Sequence, residues 1–252
     1  MTVRILVLSD IHANLEALDA CLEAAPPYDR IFNLGDIVGY GANPNEVIKI
    51  VRELGKVFVR GNHDRACSGM LSLDGFNANA GLAALWTHNH LADENLEFLR
   101  QLPKGPLAGM ENVMLVHGSV RDEDEYVLVL HDAQPLLEET ESPLTFFGHT
   151  HIQCGFSEEN NHRWQTLMPI YRSPTGPQHF MFHLRPGTRY LINPGSVGQP
   201  RDNDPRAAFL LYDALEASIT FYRIPYNIAA AQKKIYSAGL PERLAERLAE
   251  GR

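Results

Sequence analysis

Positive charge is in short supply in this 252-residue chain, where 22 Lys and Arg face 31 Asp and Glu, for a formal net charge of −9. That balance argues against a broad basic surface for coating nucleic acid or anionic lipid, so any anionic ligand must be held locally. Cysteine is scarce as well. Cys21, Cys67 and Cys154 are an odd number, far apart and without a CxxC spacing, so neither a disulfide framework nor a thiolate zinc site is indicated; Cys21 is expected as core filling. No run of 18 apolar residues is present, and Met1 to Arg4 lead straight into a strand-like run instead of a signal peptide, which places the expected location in the cytoplasm. Internal repeats and low-complexity tracts are lacking. With 44% hydrophobic and 21% charged residues, the chain can bury a core, and wholesale disorder is excluded.

Histidine, by contrast, is plentiful, with 11 residues. Apolar runs at 3–8, 30–34, 57–59, 113–116 and 144–147 read as strands. Asn14 reads as an N-cap followed by Leu15, Leu18 and Leu22 at helical spacing, and Pro44 opens a helix with Val47, Ile48, Val51 and Leu54 on one face. This alternation indicates a layered α/β core with a largely parallel sheet. Residues 66–104 are expected to be helical, with Leu82, Leu85 and Trp86 on one face, and form a candidate cap. Residues 155–190, with their prolines and aromatics, read as a long loop or hairpin excursion. Residues 207–212 and 218–224 read as antiparallel strands, and 228–250 as helices split at Gly239-Leu240-Pro241.

Each of the five early strands ends in residues able to bind metal, and ligands of α/β sheets collect at the carboxyl ends of strands. Single pieces carry little, since chance alone supplies about 0.5 His-x-His pairs in such a chain. His88-Asn89-His90, inside a helical pattern, is expected as a solvated helix face. The ordered series is far less accidental: Asp10-Ile11-His12, Gly35-Asp36-Ile37-Val38-Gly39, Gly61-Asn62-His63-Asp64, His117-Gly118 and Gly148-His149-Thr150-His151. In this order the motifs resemble the DxH, GDxxG, GNHD/E, isolated His and GHxH pattern of the calcineurin-like metallophosphoesterase superfamily. The likeness spans residues 3–151 and extends to Asn193-Pro194-Gly195-Ser196-Val197-Gly198.

The resemblance implies a single domain over 1–252, built as a four-layer α/β/β/α sandwich of two mixed sheets. It also implies two divalent cations, one held by Asp10, His12, Asp36 and His151, the other by Asp36, Asn62, His117 and His149. Imidazole and carboxylate donors without thiolate suit Mn or Fe first, with Zn, Co or Ni as alternatives. In extended chain, side chains at i and i+2 share a face, so Asp10 with His12, and His149 with His151, can point into one site. By the same resemblance a hydroxide bridging the metals attacks phosphorus, His63 protonates the leaving oxygen or steadies phosphoryl charge, and Asp64 orients His63. Asn62, His63, Arg121 and Arg201 are candidate substrate contacts. Plainer roles stand beside these: Asp36 as a turn residue, Asn62 and Asp64 as helix caps, His117 as a buried structural histidine, and Arg121 and Arg201 as surface partners of Asp122 or Asp202. Gly39, Gly118, Gly195 and Gly198 read as turn formers with φ > 0.

Residues 117–122 and 193–202 look like the small prokaryotic branch that contains phosphodiesterases and diadenosine-polyphosphate hydrolases. The expected activity is therefore hydrolysis of a phosphodiester or nucleotide pyrophosphate bond, with a dinucleoside polyphosphate among the candidate substrates. A phosphomonoesterase or protein phosphatase is the alternative. A non-catalytic scaffold of the same fold is the alternative of another class, and the presence of His63 speaks against it. The expected partner is a small phosphate ester or nucleotide, not a membrane or extended nucleic acid, and a homo-oligomer is compatible with the sequence.

Overall fold

In the computed structural model, which describes residues 3–159 and 163–252, the apolar runs become strands of two six-stranded sheets. The first sheet contains β1 (Arg4–Leu8), β2 (Arg30–Asn33), β3 (Val57–Phe58), β9 (Gln178–His183), β11 (Ala207–Asp213) and β12 (Ser218–Ile224), in the order β3-β2-β1-β11-β12-β9. The second contains β4 (Leu107–Met110), β5 (Val113–Leu115), β6 (Leu144–Phe146), β7 (Gln153–Glu159), β8 (Arg163–Leu167) and β10 (Arg189–Pro194), in the order β4-β5-β6-β10-β7-β8. The helices are α1 (Leu15–Ala24), α2 (Pro44–Leu54), α3 (Asn62–Cys67), α4 (Ala78–His90), α5 (Asp93–Arg100), α6 (Leu130–Glu139), α7 (Ile228–Ser237) and α8 (Glu242–Glu250). None of the described helices is long and apolar enough to cross a membrane.

Parallel pairing is confined to β1-β2-β3 and β5-β6-β10, and every other ladder is antiparallel. Both sheets are therefore mixed. The largely parallel sheet expected from strand–helix alternation does not form, because β11 joins β1 antiparallel inside the first sheet and β7 joins β10 antiparallel inside the second. Both faces of β1 are buried, which explains its unbroken apolar run. Ile5 and Val7 pack with Phe32 and Leu34 against Val113, Leu144, Phe146 and Ile192 of the second sheet. Leu6 and Leu8 face the other way, into a cluster with Leu18 and Cys21 of α1, Val47 and Val51 of α2 and Leu99 of α5. On the far side, Ala133, Leu136 and Leu137 of α6 cover Phe156 and Leu191 of the second sheet. The layers run α/β/β/α.

Local signals act where the sequence places them. The Asn14 side chain accepts from the Ala17 amide at 3.2 Å, Pro44 opens α2, and α7 and α8 break at 239–241. Residues 155–190 form the hairpin that is one of the two expected forms, and not a long loop. They contain most of the β7–β8 hairpin and all of β9, which edges the first sheet; Pro169, Pro174, Pro177 and Pro186 fall in connections and leave the strands intact. Residues 160–162 of that stretch lie outside the described residues. The expected apolar face of α4 is also reversed, with Leu82 and Leu85 exposed and Ala80, Ala83, Ala84 and Thr87 buried. The alanine side allows close approach to α3 and to the α7–α8 pair. His90 is exposed and stacks on Trp86, while half-buried His88 meets the Cys67 carbonyl at 2.8 Å, so only half of that His pair is a solvated face.

Phe146 is fully buried between the sheets. Its replacement by Ala is expected to cost about 3–5 kcal/mol in urea denaturation. Leu215→Ala, at a residue 66% exposed, should stay within about 0.5 kcal/mol of the parent.

Candidate metal centre

Loops that leave the carboxyl ends of strands in both sheets meet at one edge of the sandwich. Asp10 and His12 follow β1, Asp36 follows β2, Asn62 and His63 open α3 after β3, His117 follows β5, and His149 and His151 follow β6. Apart from Asn62, which is half-buried, all of these side chains are buried. Five of them have left-handed backbones, with φ of 52° at Asp10, 50° at His12, 52° at Asp36, 67° at His149 and 60° at His151. The pleat of extended chain therefore does not aim the Asp10/His12 and His149/His151 pairs. Coiled, strained loops do, at about 1–3 kcal/mol for each such residue.

Those loops are braced from several directions. The Asp10 and His12 amides donate to the Gly35 and Asp36 carbonyls, both at 3.0 Å. Ser196 Oγ donates to the Asp10 carbonyl at 2.7 Å, and Asn193 Nδ2 donates to the Gly148 carbonyl at 2.8 Å and to Thr150 Oγ1 at 3.0 Å. Gly39 has φ of 90°, and a Cβ there would meet His63 Nδ1 at 2.6 Å. Gly198 is needed for closeness instead of positive φ, since a Cβ would come within 1.8 Å of the Ile11 carbonyl oxygen.

The donors form two groups, Asp10, His12, Asp36 and His151 in one and Asp36, His117 and His149 in the other, with ligand atoms of each group within 4.8 Å of one another. Asn62 Oδ1 approaches His117 Nε2 at 3.3 Å and so adjoins the second group. Ring orientation is set from behind. Nδ1 of His12, His117 and His151 contacts the carbonyls of Val38, Leu34 and Gln199 at 3.1, 2.7 and 2.6 Å. A carbonyl only accepts, so each Nδ1 carries the hydrogen, and the rings of His12 and His151, held neutral by burial, turn a bare Nε2 inward. His12 Nε2 and His151 Nε2 consequently face each other at 3.1 Å, and His151 Nε2 lies 3.2 Å from Asp10 Oδ1. Three acceptors thus stand together with no hydrogen to share. Asp10 Oδ1, Asp36 Oδ2 and His149 Nε2 are buried without any hydrogen-bond partner. Donors bound to one ion at about 2.1 Å and at right angles lie about 3 Å apart, so the spacing and the orphaned atoms both fit divalent cations.

The charge states agree. Burial alone would raise the Asp10 and Asp36 carboxyls, yet the histidines beside them, His151 for Asp10 and His117 for Asp36, hold both below the usual range. Burial pulls His12 and His151 down, and His149 down to about 3. His117 is the exception: burial opposes its charge, but the Asp36 carboxylate 3.5 Å away pushes it up to about 10. Ionised carboxylates and neutral imidazoles are the ligand forms that metals require.

The remaining candidates separate. His63, pulled down to about 4 by burial, packs against Tyr40 at 4.3 Å and edge-on to Phe76 at 5.1 Å between ring centroids. Arg201 stays close, with its guanidinium over the Tyr40 ring at 5.8 Å and bonded to Gln199 Oε1 at 3.2 Å, leaving Nε without a partner. Arg121 does not join the cluster, because it pairs with exposed Glu139, Nε to Oε2 at 2.6 Å. Asp64 does not orient His63. Its oxygens accept from the amides of Asp36 at 2.8 Å, Ile37 at 2.8 Å, Val38 at 3.3 Å and Gly61 at 3.0 Å. Burial and the nearby Asp36 charge push its carboxyl up to about 7 against the pull of those donors. Tyr40, Phe76 and Tyr126 around the cluster were not legible as site residues, since loop geometry alone brings them there.

Asp64→Ala would leave several buried amides without an acceptor, at about 1–3 kcal/mol each. A loss on the order of 3 kcal/mol should lower Tm by roughly 6–12 °C in calorimetry, with Asp64→Asn intermediate. An unchanged Tm would overturn the bracing role of Asp64.

Three comparisons bear on this geometry. Residues 3–216 match the calcineurin-like phosphoesterase superfamily domain. The chain is 39% identical to the uncharacterized protein MJ0912 of Methanocaldococcus jannaschii, with 98% of each chain covered. Among solved structures, a metallophosphoesterase from Sphaerobacter thermophilus superposes with a TM-score of 0.85 at 40% identity over 100% of both chains. The hypothetical protein PH1004 of Pyrococcus horikoshii OT3 shares the fold, with a TM-score of 0.76 at 21% identity over 99% of both. Matched over most of its length, and with an aspartate shared between two buried donor clusters, the chain belongs to the calcineurin-like phosphoesterase superfamily.

Proposed function

We propose that the chain is a two-metal phosphoesterase that hydrolyses a phosphodiester or nucleotide pyrophosphate bond in a small substrate. The observation that carries this is the pair of donor clusters joined at Asp36, with His12 and His151 turning bare nitrogens toward each other at 3.1 Å. Asp10, His12, Asp36 and His151 would hold one cation and Asp36, Asn62, His117 and His149 the other, with Mn or Fe favoured by the oxygen and nitrogen donors. When bound, such cations would supply Lewis-acid chemistry, acidifying a water and offsetting charge on the phosphoryl oxygens.

The side chains supply the rest. Asp36 reduces repulsion between the cations, and its Oδ1 also accepts from the His63 amide at 2.8 Å, fixing that residue beside the cluster. His63 hydrogen-bonds the departing oxygen, with Tyr40 and Phe76 limiting its rotation. Because both sheets donate ligands to one centre, residues 1–252 act as a single domain. A non-catalytic scaffold would have no use for His63 next to a complete donor set.

With Mn²⁺ added, His63→Ala should keep its metal content while turnover of bis-p-nitrophenyl phosphate falls on the order of 10²–10⁴-fold. Asp36→Ala should drop below one bound ion per chain in elemental analysis and lose turnover altogether. Exclusive turnover of p-nitrophenyl phosphate would replace the diesterase reading with a phosphomonoesterase, and metal-saturated protein inert toward every ester would overturn both.

A further inference from the structure

The donor clusters open into a cleft of about 440 Å³ that His63, Asn62 and His149 also line. A space of this size takes up a small organic group. Tyr40, Phe76, Tyr126 and Leu71 give its walls three aromatic rings and one large apolar side chain, beside the uncharged polar Ser72 and Asn77. Tyr126 lies against His149 with ring centroids 4.0 Å apart and planes tilted by 35°, yet remains 49% exposed, so an aromatic ring stands half-uncovered at the edge of a strongly polar centre. Phe76, on the 71–77 segment, meets His63 edge-on and is only partly buried.

Charge in the cleft decides what fits. Among the described residues, Asp124 is the one Asp, Glu, Lys or Arg that lines it, and its carboxylate is paired with Arg65. Arg121 is turned away to Glu139, and Arg201 lies over the Tyr40 ring without lining the cleft. Each further phosphate of a polyphosphate brings negative charge that these walls do not offset, whereas a flat uncharged ring gains area and stacking.

We infer that the cleft is a specificity site for an aromatic group, an aryl ring or nucleobase, carried by a single phosphate and stacked on Tyr126 and Phe76, instead of a site for a polyphosphate chain. This deepens the phosphoesterase reading by narrowing it to its phosphodiester branch, and rests on it for the position of the phosphate.

Calorimetric binding to the full chain in saturating Mn²⁺ tests it, with phenyl phosphate, adenosine 5′-monophosphate, adenosine 5′-diphosphate and methyl phosphate as probes. The two aromatic monophosphates should bind about tenfold or more tighter than methyl phosphate, a gain within the range of base stacking on an aromatic side chain. Adenosine 5′-diphosphate should gain nothing over the monophosphate. Tyr126→Ala and Phe76→Ala should bring the aromatic probes to within about threefold of methyl phosphate at unchanged metal content, and Tyr126→Phe should keep the preference. Should Phe76→Ala fail to fold, half-exposed Tyr126 still decides. Equal binding of all probes, tenfold tighter binding of the diphosphate, or a preference that survives Tyr126→Ala would overturn the inference. Intact aromatic preference without hydrolysis of any ester would instead sink the phosphoesterase reading alone.

Discussion

Electrostatic self-repulsion in one small buried space governs this molecule. Two carboxylates, Asp10 and Asp36, share it with inward-facing imidazole nitrogens, and no surrounding lysine or arginine comes within ion-pairing distance of either acid among the described residues. At low local dielectric such a grouping of acceptors is costly unless positive charge lies inside it. The proton on His117 is a partial remedy, covering Asp36 but not the His12, His151 and Asp10 acceptors. Divalent cations answer the whole set. The strained φ angles and the multiple braces on each loop follow from that, because donors that repel one another must be held by the scaffold.

Asp64 shows how the holding is done. From the third position of α3 it reaches back to the Gly61 amide as a helix cap and across to three consecutive amides of the Asp36 loop. One side chain thereby fixes the β2 and β3 loops relative to each other. Ser196 and Asn193, at the end of β10, do the corresponding work for the β1 and β6 loops. The segment 193–198 adds no donor to either cluster, yet the placement of Asp10 and His149 depends on it.

Some of this was legible in the amino-acid order and some was not, for definable reasons. The donors could be read because metal chemistry restricts residue type, and because short apolar strands ending in Asp or His recur at spacings that a sheet brings together. Their aim could not. It depends on left-handed backbones at Asp10 and His12, which no pattern of side chains announces, and the pleat argument named residues that do come together, but by the wrong geometry. In 155–190 the prolines suggested irregular chain, although they mark only the connections around β8, β9 and β10. The alternation of Gln178, Phe180 and Phe182 inward with His179, Met181 and His183 outward was a strand signal hidden among those turns. Leu82 and Leu85 misled for another reason, since alanines on the opposite side gave α4 the closer packing surface.

The donor set draws on both halves of the sandwich, with Asp10, His12 and Asp36 extending from the first sheet and His117, His149 and His151 from the second. An ion seated in either cluster would thus be a further cross-link between layers that already meet through apolar side chains and through hydrogen bonds such as those of Gln153 to the Phe209 and Tyr222 carbonyls. Its occupancy adds to folding stability as the logarithm of free cation over Kd. The cohesion of the two layers would in this way rise with the supply of metal, through the same donors that fix the geometry of the site.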